Sequence, residues 1–351
     1  MSSPPCASDS LVEAAVKILQ TGDPWLKASY TNQVVEWWRS GCMATLPCSQ
    51  DTLHVPERPS RSDDKVKVVP PGRTPKRGKG GSLASRQALL HSLCHIENWA
   101  VDLSWDIIAR FGGNAEYNLP REFFDDFVTV AEDECRHFLL LEQRLKEVGS
   151  YYGALPVHDG LWESASHTAH SLPARLAVES CVHEARGLDV LPLTIAKFRN
   201  NGDEPTAALL ERVVYPEEVN HCRAGVKWFR YLHQIAHRIY SEPNKLEECA
   251  SSSSTPQGHS STSEADGLVL TPKQNGQEVM IPSWVVEAQR FHNVDSWFHD
   301  VVAVHFWGSL KPPFNTEARA QAGFEESWYL PLVEKTGKRR EEQQEAGPVV
   351  C

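Results

Sequence analysis

Between Ser82 and about Tyr240, apolar residues recur at spacings of three and four almost without interruption, the period of one helix face. Four segments, 83–110, 121–148, 172–199 and 205–240, are each long enough to run the length of a bundle, with Gly112-Gly113, Gly149 and Gly202 between them. Residues 9–41 carry the same period in two pieces, Leu11 to Leu19 and Val34 to Trp38, split by Gly22-Asp23-Pro24. Two short helices are predicted there. The pattern then sets the organisation: a helical segment at 1–43, a Pro/Gly/basic linker at 44–80, a four-helix bundle at 81–245, a low-complexity linker at 246–279, and a C-terminal covering segment with tail at 280–351. The expected fold class is all-α, with N-terminal helices and a helical or irregular C-terminal layer on the bundle.

One carboxylate interrupts each apolar stripe. In the segment 121–148, Phe127, Val130, Ala131, Phe138, Leu141 and Leu145 define a face that also contains Glu134. Glu97 sits among Leu90, Leu93, Val101 and Ile108, Glu184 among Ala177, Cys181, Leu188 and Leu191, and Glu218 with His221 among Leu210, Val214, Trp228 and Leu232. A lone buried carboxylate costs several kcal/mol unless it is protonated or paired. None of the four stripes carries a Lys or Arg. Metal is the common remaining solution.

The spacing supports it. Glu134-x-x-His137 recurs as Glu218-x-x-His221, so each pair shares one helix face, and Glu97 and Glu184 complete the set from the other two helices. This is the ligand order of ferritin-like dimetal bundles. The Cys-x-x-Glu-x-x-x-x-Asp pattern of Cys94–Asp102 also recurs at Cys181–Asp189, which implies two helix hairpins related by a pseudo-twofold axis. Four carboxylates and two neutral imidazoles balance two divalent cations. Mixed oxygen and nitrogen donors suit two iron ions, and manganese fits the same donors. The predicted ligands are therefore Glu97, Glu134, His137, Glu184, Glu218 and His221.

Other residues nearby receive plainer roles. Glu179 lies five residues from Glu184, about 140° round an α-helix, which places it on the surface or behind the ligands. Cys94 and Cys181 are expected as small buried hydrophobes, and His95 and His183 as structural hydrogen-bonding groups. Asp102 and Asp189 either orient ligand histidines or form salt bridges. Tyr215-Pro216 implies a kink or a break just before Glu218.

Composition narrows the class. The chain has 351 residues with 41% hydrophobic content, enough for a sizeable core, and a net charge of −11 that disfavours nonspecific binding to nucleic acid or acidic membranes. No apolar run reaches the roughly 18 residues of a membrane span, and the start lacks a signal-peptide layout. Nine cysteines without a CxxC pair read as reduced thiols. A soluble cytoplasmic protein without membrane contact is expected. The six Lys and Arg between Lys65 and Lys79 read first as a solvated linker, with RNA contact left open.

The stretches LLHSLCHIENWAVDL, EDECRHF, GALPVHDGLW, EARGLDV, PEEVNH and FNTEARAQAGF resemble an uncharacterised ferritin-like family of unknown function that is distantly similar to the tRNA hydroxylase MiaE. The resemblance covers most of the chain and implies a ferritin-like fold with a dimetal site at the six residues above. It assigns no reaction. The leading expectation is a di-iron oxidoreductase that activates dioxygen to hydroxylate a small-molecule or macromolecular substrate, with an unidentified electron donor. The alternatives are an iron-handling ferroxidase or storage protein, and a metal-stabilised helical interaction module without turnover. Trp37, Trp38, Trp284, Trp297 and Trp307 offer aromatic surface that could wall a pocket over one end of the bundle, with core packing the first reading for each.

Overall fold

The computed structural model describes residues 3–46, 53–62, 64–74, 79–241, 268–270 and 280–333. The low-complexity stretch 249–265 lies outside the described residues. Among the described residues the chain is all-α apart from one two-stranded antiparallel pair, β1 (Leu268–Leu270) and β2 (Met280–Pro282), which the sequence reading missed.

Helix α1 (Leu11–Leu19) begins at a reciprocal cap between Ser10 and Glu13, and α2 (Pro24–Arg39) begins at Asp23, which accepts from the Trp25 and Leu26 N–H groups. The long helices follow. Helix α3 (Leu83–Phe111) packs along α4 (Arg121–Glu147). After the short α5 (Gly160–Ser166), α6 (Leu172–Arg175) runs without a break through a π segment, π1 (Leu176–His183), into α7 (Glu184–Asn200). The last rod is built alike: α8 (Glu204–Leu209), π2 (Leu210–Val214) and α9 (Tyr215–Ser241). Helix α9 packs on π1, α7 and α4, so the four long helical stretches enclose one interior.

Pro216 does not break the helical rod. It follows π2, where the Tyr215 N–H reaches back five residues to the Leu210 carbonyl. The widened turn carries the rod past a residue that has no N–H to give. Gly225 lets α9 approach π1 closely, because a Cβ there would lie 2.2 Å from the Ser180 carbonyl oxygen.

The N-terminal helices are tied to α3 by charge as well as by apolar packing. Lys27 of α2 and Arg61 of the following loop both pair with Asp102 of α3, and Lys27 and Asp102 are fully buried. Where it is described, the segment 53–74 is held against the helices: Ser60 N–H donates to the Leu19 carbonyl at 2.8 Å, and Val69 N–H to the Val157 carbonyl at 2.8 Å. On the other side, α10 (Ser283–Ala288), α11 (Val294–His305) and α12 (Thr316–Gln321) lie against α9, with Trp297, Phe298, Phe324 and Trp328 in a continuous aromatic layer. Arg319 of α12 is completely buried and makes a two-point pair with Asp189 of α7 at 2.9 and 2.7 Å.

Candidate metal centre

The helical period carries one carboxylate from each long rod into the enclosed interior. Glu97 comes from α3, Glu134 and His137 from α4, Glu184 from the start of α7, and Glu218 and His221 from α9. Five of the six are buried, and Glu184 is half-buried. Their donor atoms form two groups, each able to hold a metal ion: Glu97, Glu134, His137 and Glu218, and Glu134, Glu184, Glu218 and His221, with all atoms of a group within 4.8 Å of one another. Glu134 and Glu218 belong to both groups. All six predicted residues thus meet in one cluster.

The histidines are aimed by carboxylates from the opposite helix. Nε2 of His137 lies 2.7 Å from Glu217 of α9, and Nε2 of His221 lies 3.3 Å from Asp133 of α4. Arg136 approaches both of these carboxylates, at 2.7 Å from Asp133 and 2.5 Å from Glu217. Each Nδ1 is thereby turned inward. His137 Nδ1 lies 3.4 Å from Glu97 and 3.5 Å from Glu134, and His221 Nδ1 lies 3.0 Å from Glu134. Both Nδ1 atoms, together with Glu134 Oε2, are buried without a hydrogen-bond partner. Orphaned donor atoms that converge while the far ring nitrogens are held by carboxylates are what a metal site requires. The residues present fit such an ion.

The electrostatics agree. Burial and the nearby Glu134 charge push Glu97 up to about 8, and the same two causes push Glu218 up to about 7. Burial, with Glu218 beside it, raises Glu184 well above the carboxylate range. Burial opposes ionisation of Glu134 too, but His221 and His137 outweigh it and hold this carboxyl low. Burial likewise disfavours the charged imidazoles, yet the surrounding carboxylates raise both. Without an ion the cluster retains protons to limit its own repulsion, and a divalent cation serves the same purpose by displacing them.

Asp133, Glu217 and Arg136 were missed by the sequence reading. The available signal was that the Glu of each Glu-x-x-His pair is preceded by another acid, Asp133-Glu134 and Glu217-Glu218. Asp102 and Asp189, the candidates for orienting histidines, instead form salt bridges with Lys27 and Arg61 and with Arg319. Cys94 and Cys181 are buried, with thiols pushed up by burial, and neither belongs to a ligand group. His95 places its ring between the Tyr152 hydroxyl at 2.8 Å and the His158 carbonyl at 3.0 Å.

The surface placement of Glu179 is incorrect. It is 4% exposed, and neither carboxylate oxygen has a hydrogen-bond partner. The physical reason is π1: with hydrogen bonds spanning five residues, the angle between positions 179 and 184 is narrower than the one α geometry would set.

A cavity of about 700 Å³ opens beside the cluster, between α3, the π1/α7 rod and the loop ahead of α5. Glu97, Glu134, Glu179, Glu184 and Glu218 border it on one side, and Leu93, Ile96, Leu103, Leu155, Leu161 and Val190 form apolar wall on the other. None of the five candidate tryptophans lines the cavity. Trp38, Trp284 and Trp297 are buried in packing elsewhere, Trp307 is 73% exposed, and Trp99 is the tryptophan that lines the cavity.

The fold and cluster define a helical protein with a buried carboxylate and histidine site able to hold metal. Residues 20–248 match the family described as "Protein of unknown function (DUF455)", and the chain belongs to that family. An uncharacterized protein of Haemophilus influenzae is 36% identical over 174 residues, covering 48% of this chain and 59% of its own length. No solved structure matches the chain. Among the described residues no helix is long and apolar enough to cross a membrane.

Proposed function

We propose that this chain is a ferritin-like dimetal oxidoreductase, with two iron ions held by Glu97, Glu134, His137, Glu184, Glu218 and His221. The observation that carries the reading is the pair of ligand groups sharing Glu134 and Glu218 at the edge of a cavity. The chain order of the donors, Glu, Glu-x-x-His, Glu, Glu-x-x-His, is that of ferritin-like carboxylate bundles. Iron bound by such donors supplies the activation of dioxygen. The chain's own residues do the rest. Glu217 and Asp133 would fix the imidazole tautomers, Glu134 and Glu218 would serve both ions, and Glu97 and Glu184 would each serve one. The apolar wall excludes water and seats an organic substrate. Hydroxylation places one oxygen atom of O2 in the product and the other in water, so an external donor supplies two electrons and two protons per turnover. The cavity favours such a catalyst over iron storage, which needs no substrate space.

The test loads the protein anaerobically with two ferrous ions per chain, admits O2 and a chemical reductant, and follows oxygen uptake alongside bound iron. Sustained uptake with both ions retained is the expected result. A single burst followed by ferric mineral accumulating far beyond two ions per chain overturns it in favour of storage.

A further inference from the structure

On the dimetal reading, on which this inference rests, two divalent cations neutralise the four carboxylates of the ligand groups. Glu179 is left over. It belongs to neither group, yet it is 4% exposed, borders the same cavity, and has no hydrogen-bond partner at either oxygen. Its nearest cation-capable neighbour is His183, whose Nε2 is 3.9 Å away and faces the Ser164 hydroxyl at 3.1 Å. Arg186, the one Lys or Arg among the lining residues, is drawn elsewhere: it stands 3.6 Å from Asp189 and donates to the Lys311 carbonyl at 3.3 Å.

A buried carboxylate of this kind requires a positive or hydrogen-bond-donating partner. The cavity leaves space where that partner would sit, and among the cation-capable side chains of the described residues His183 alone comes within 4 Å of the carboxylate. We propose that Glu179 anchors a protonated amine, and that the cavity takes an ammonium ligand with an apolar body lying along the Leu93 and Ile96 wall. The nitrogen is then fixed at π1, and the carbon skeleton is presented toward Glu97 and Glu184. A neutral or anionic molecule of the same shape leaves Glu179 unpaired or repelled, so the site selects by charge. Glu179 lies within the π segment, whose wider turn narrows the angle between positions 179 and 184.

The experiment uses the full chain loaded anaerobically with ferrous ion, its metal content measured in the same sample. Octylammonium, octanol and octanoate are titrated calorimetrically into the wild type and Glu179→Gln. Octylammonium is expected to bind at least tenfold more tightly than octanol to the wild type. Glu179→Gln should lose at least tenfold for octylammonium and leave octanol unchanged. Equal binding of octanol and octylammonium by the wild type overturns the proposal without reference to any variant, as does octylammonium binding that is indifferent to Glu179→Gln. Loss of a metal ion in Glu179→Gln overturns it by making Glu179 a ligand. Metal content below one ion per chain in the wild type sinks the dimetal reading separately, while the dependence of ammonium binding on Glu179 is still read from the same titrations.

Discussion

Glu217 on α9 reaches across to His137 on α4, 2.7 Å from Nε2, while Asp133 on α4 approaches Nε2 of His221 on α9 at 3.3 Å. Each helix therefore orients the histidine of the other, using the acid immediately before its own ligand Glu. Removing one of these acids frees a ring to turn. Glu217→Gln and Asp133→Asn are each expected to weaken metal binding about 10- to 100-fold. Competition with a chelator of known affinity checks this, and unchanged affinity in both variants would remove the orienting role.

The two ligand groups differ in which residues they share. Glu134→Ala and Glu218→Ala should each deplete both metal positions, whereas Glu97→Ala and Glu184→Ala should each deplete one. Elemental analysis after anaerobic reconstitution distinguishes the two patterns. An equal loss in all four variants would mean a single ion held by the whole cluster.

Asp102 neutralises two cations at once, with Lys27 wholly buried beside it. Asp102→Asn leaves that lysine without its carboxylate and should cost about 3–5 kcal/mol. Arg39→Ala, which breaks the pair of a half-exposed Arg39 with Glu132, should cost less than about 1 kcal/mol. Urea unfolding midpoints of the two variants, compared with the wild type, measure the contrast.

His91 predicts part of the acid response. Burial depresses it to about 4, and its Nε2 accepts from the Gly153 N–H at 2.9 Å. In the unfolded chain it titrates near ~6.5. Between these values the unfolded state binds the extra proton, so stability rises with pH and is lost on acidification from about 6.5 toward 4. His91→Gln should flatten this slope by up to about 1.4 kcal/mol per pH unit. Unfolding curves across that range provide the check.

The long helices were legible because their apolar stripes run on to either side of the single carboxylate and their ends are marked. Ser82 caps α3 through the Ser85 N–H, and Gly149 and Gly202 adopt positive φ just beyond α4 and α7. The ligand residues were legible because each sits where oil belongs. The π turns were not, since a widened turn changes which residues share a face without altering the apolar composition. The choice between surface and a place behind the ligands stayed open for Glu179 for that reason. The orienting acids escaped because their role exists only between α4 and α9, and spacing within either helix says nothing about the other. Lys27 escaped likewise: a lysine within α2 reads as solvent-facing until the Asp102 of a distant helix lies opposite.

Both π segments lie in the second of the two hairpins, and α3 and α4 keep regular geometry throughout. The repeated motifs around Glu97 and Glu184 have thus been put to different uses. One copy stays a plain scaffold with Glu97 at 5% exposure, and the other has Glu184 directly after a π turn, half-open to the cavity beside Glu179. Matching residue types do not make the two ligand groups equivalent. Whatever enters the cavity meets an asymmetric pair, and that asymmetry gives a nominally twofold site a front and a back.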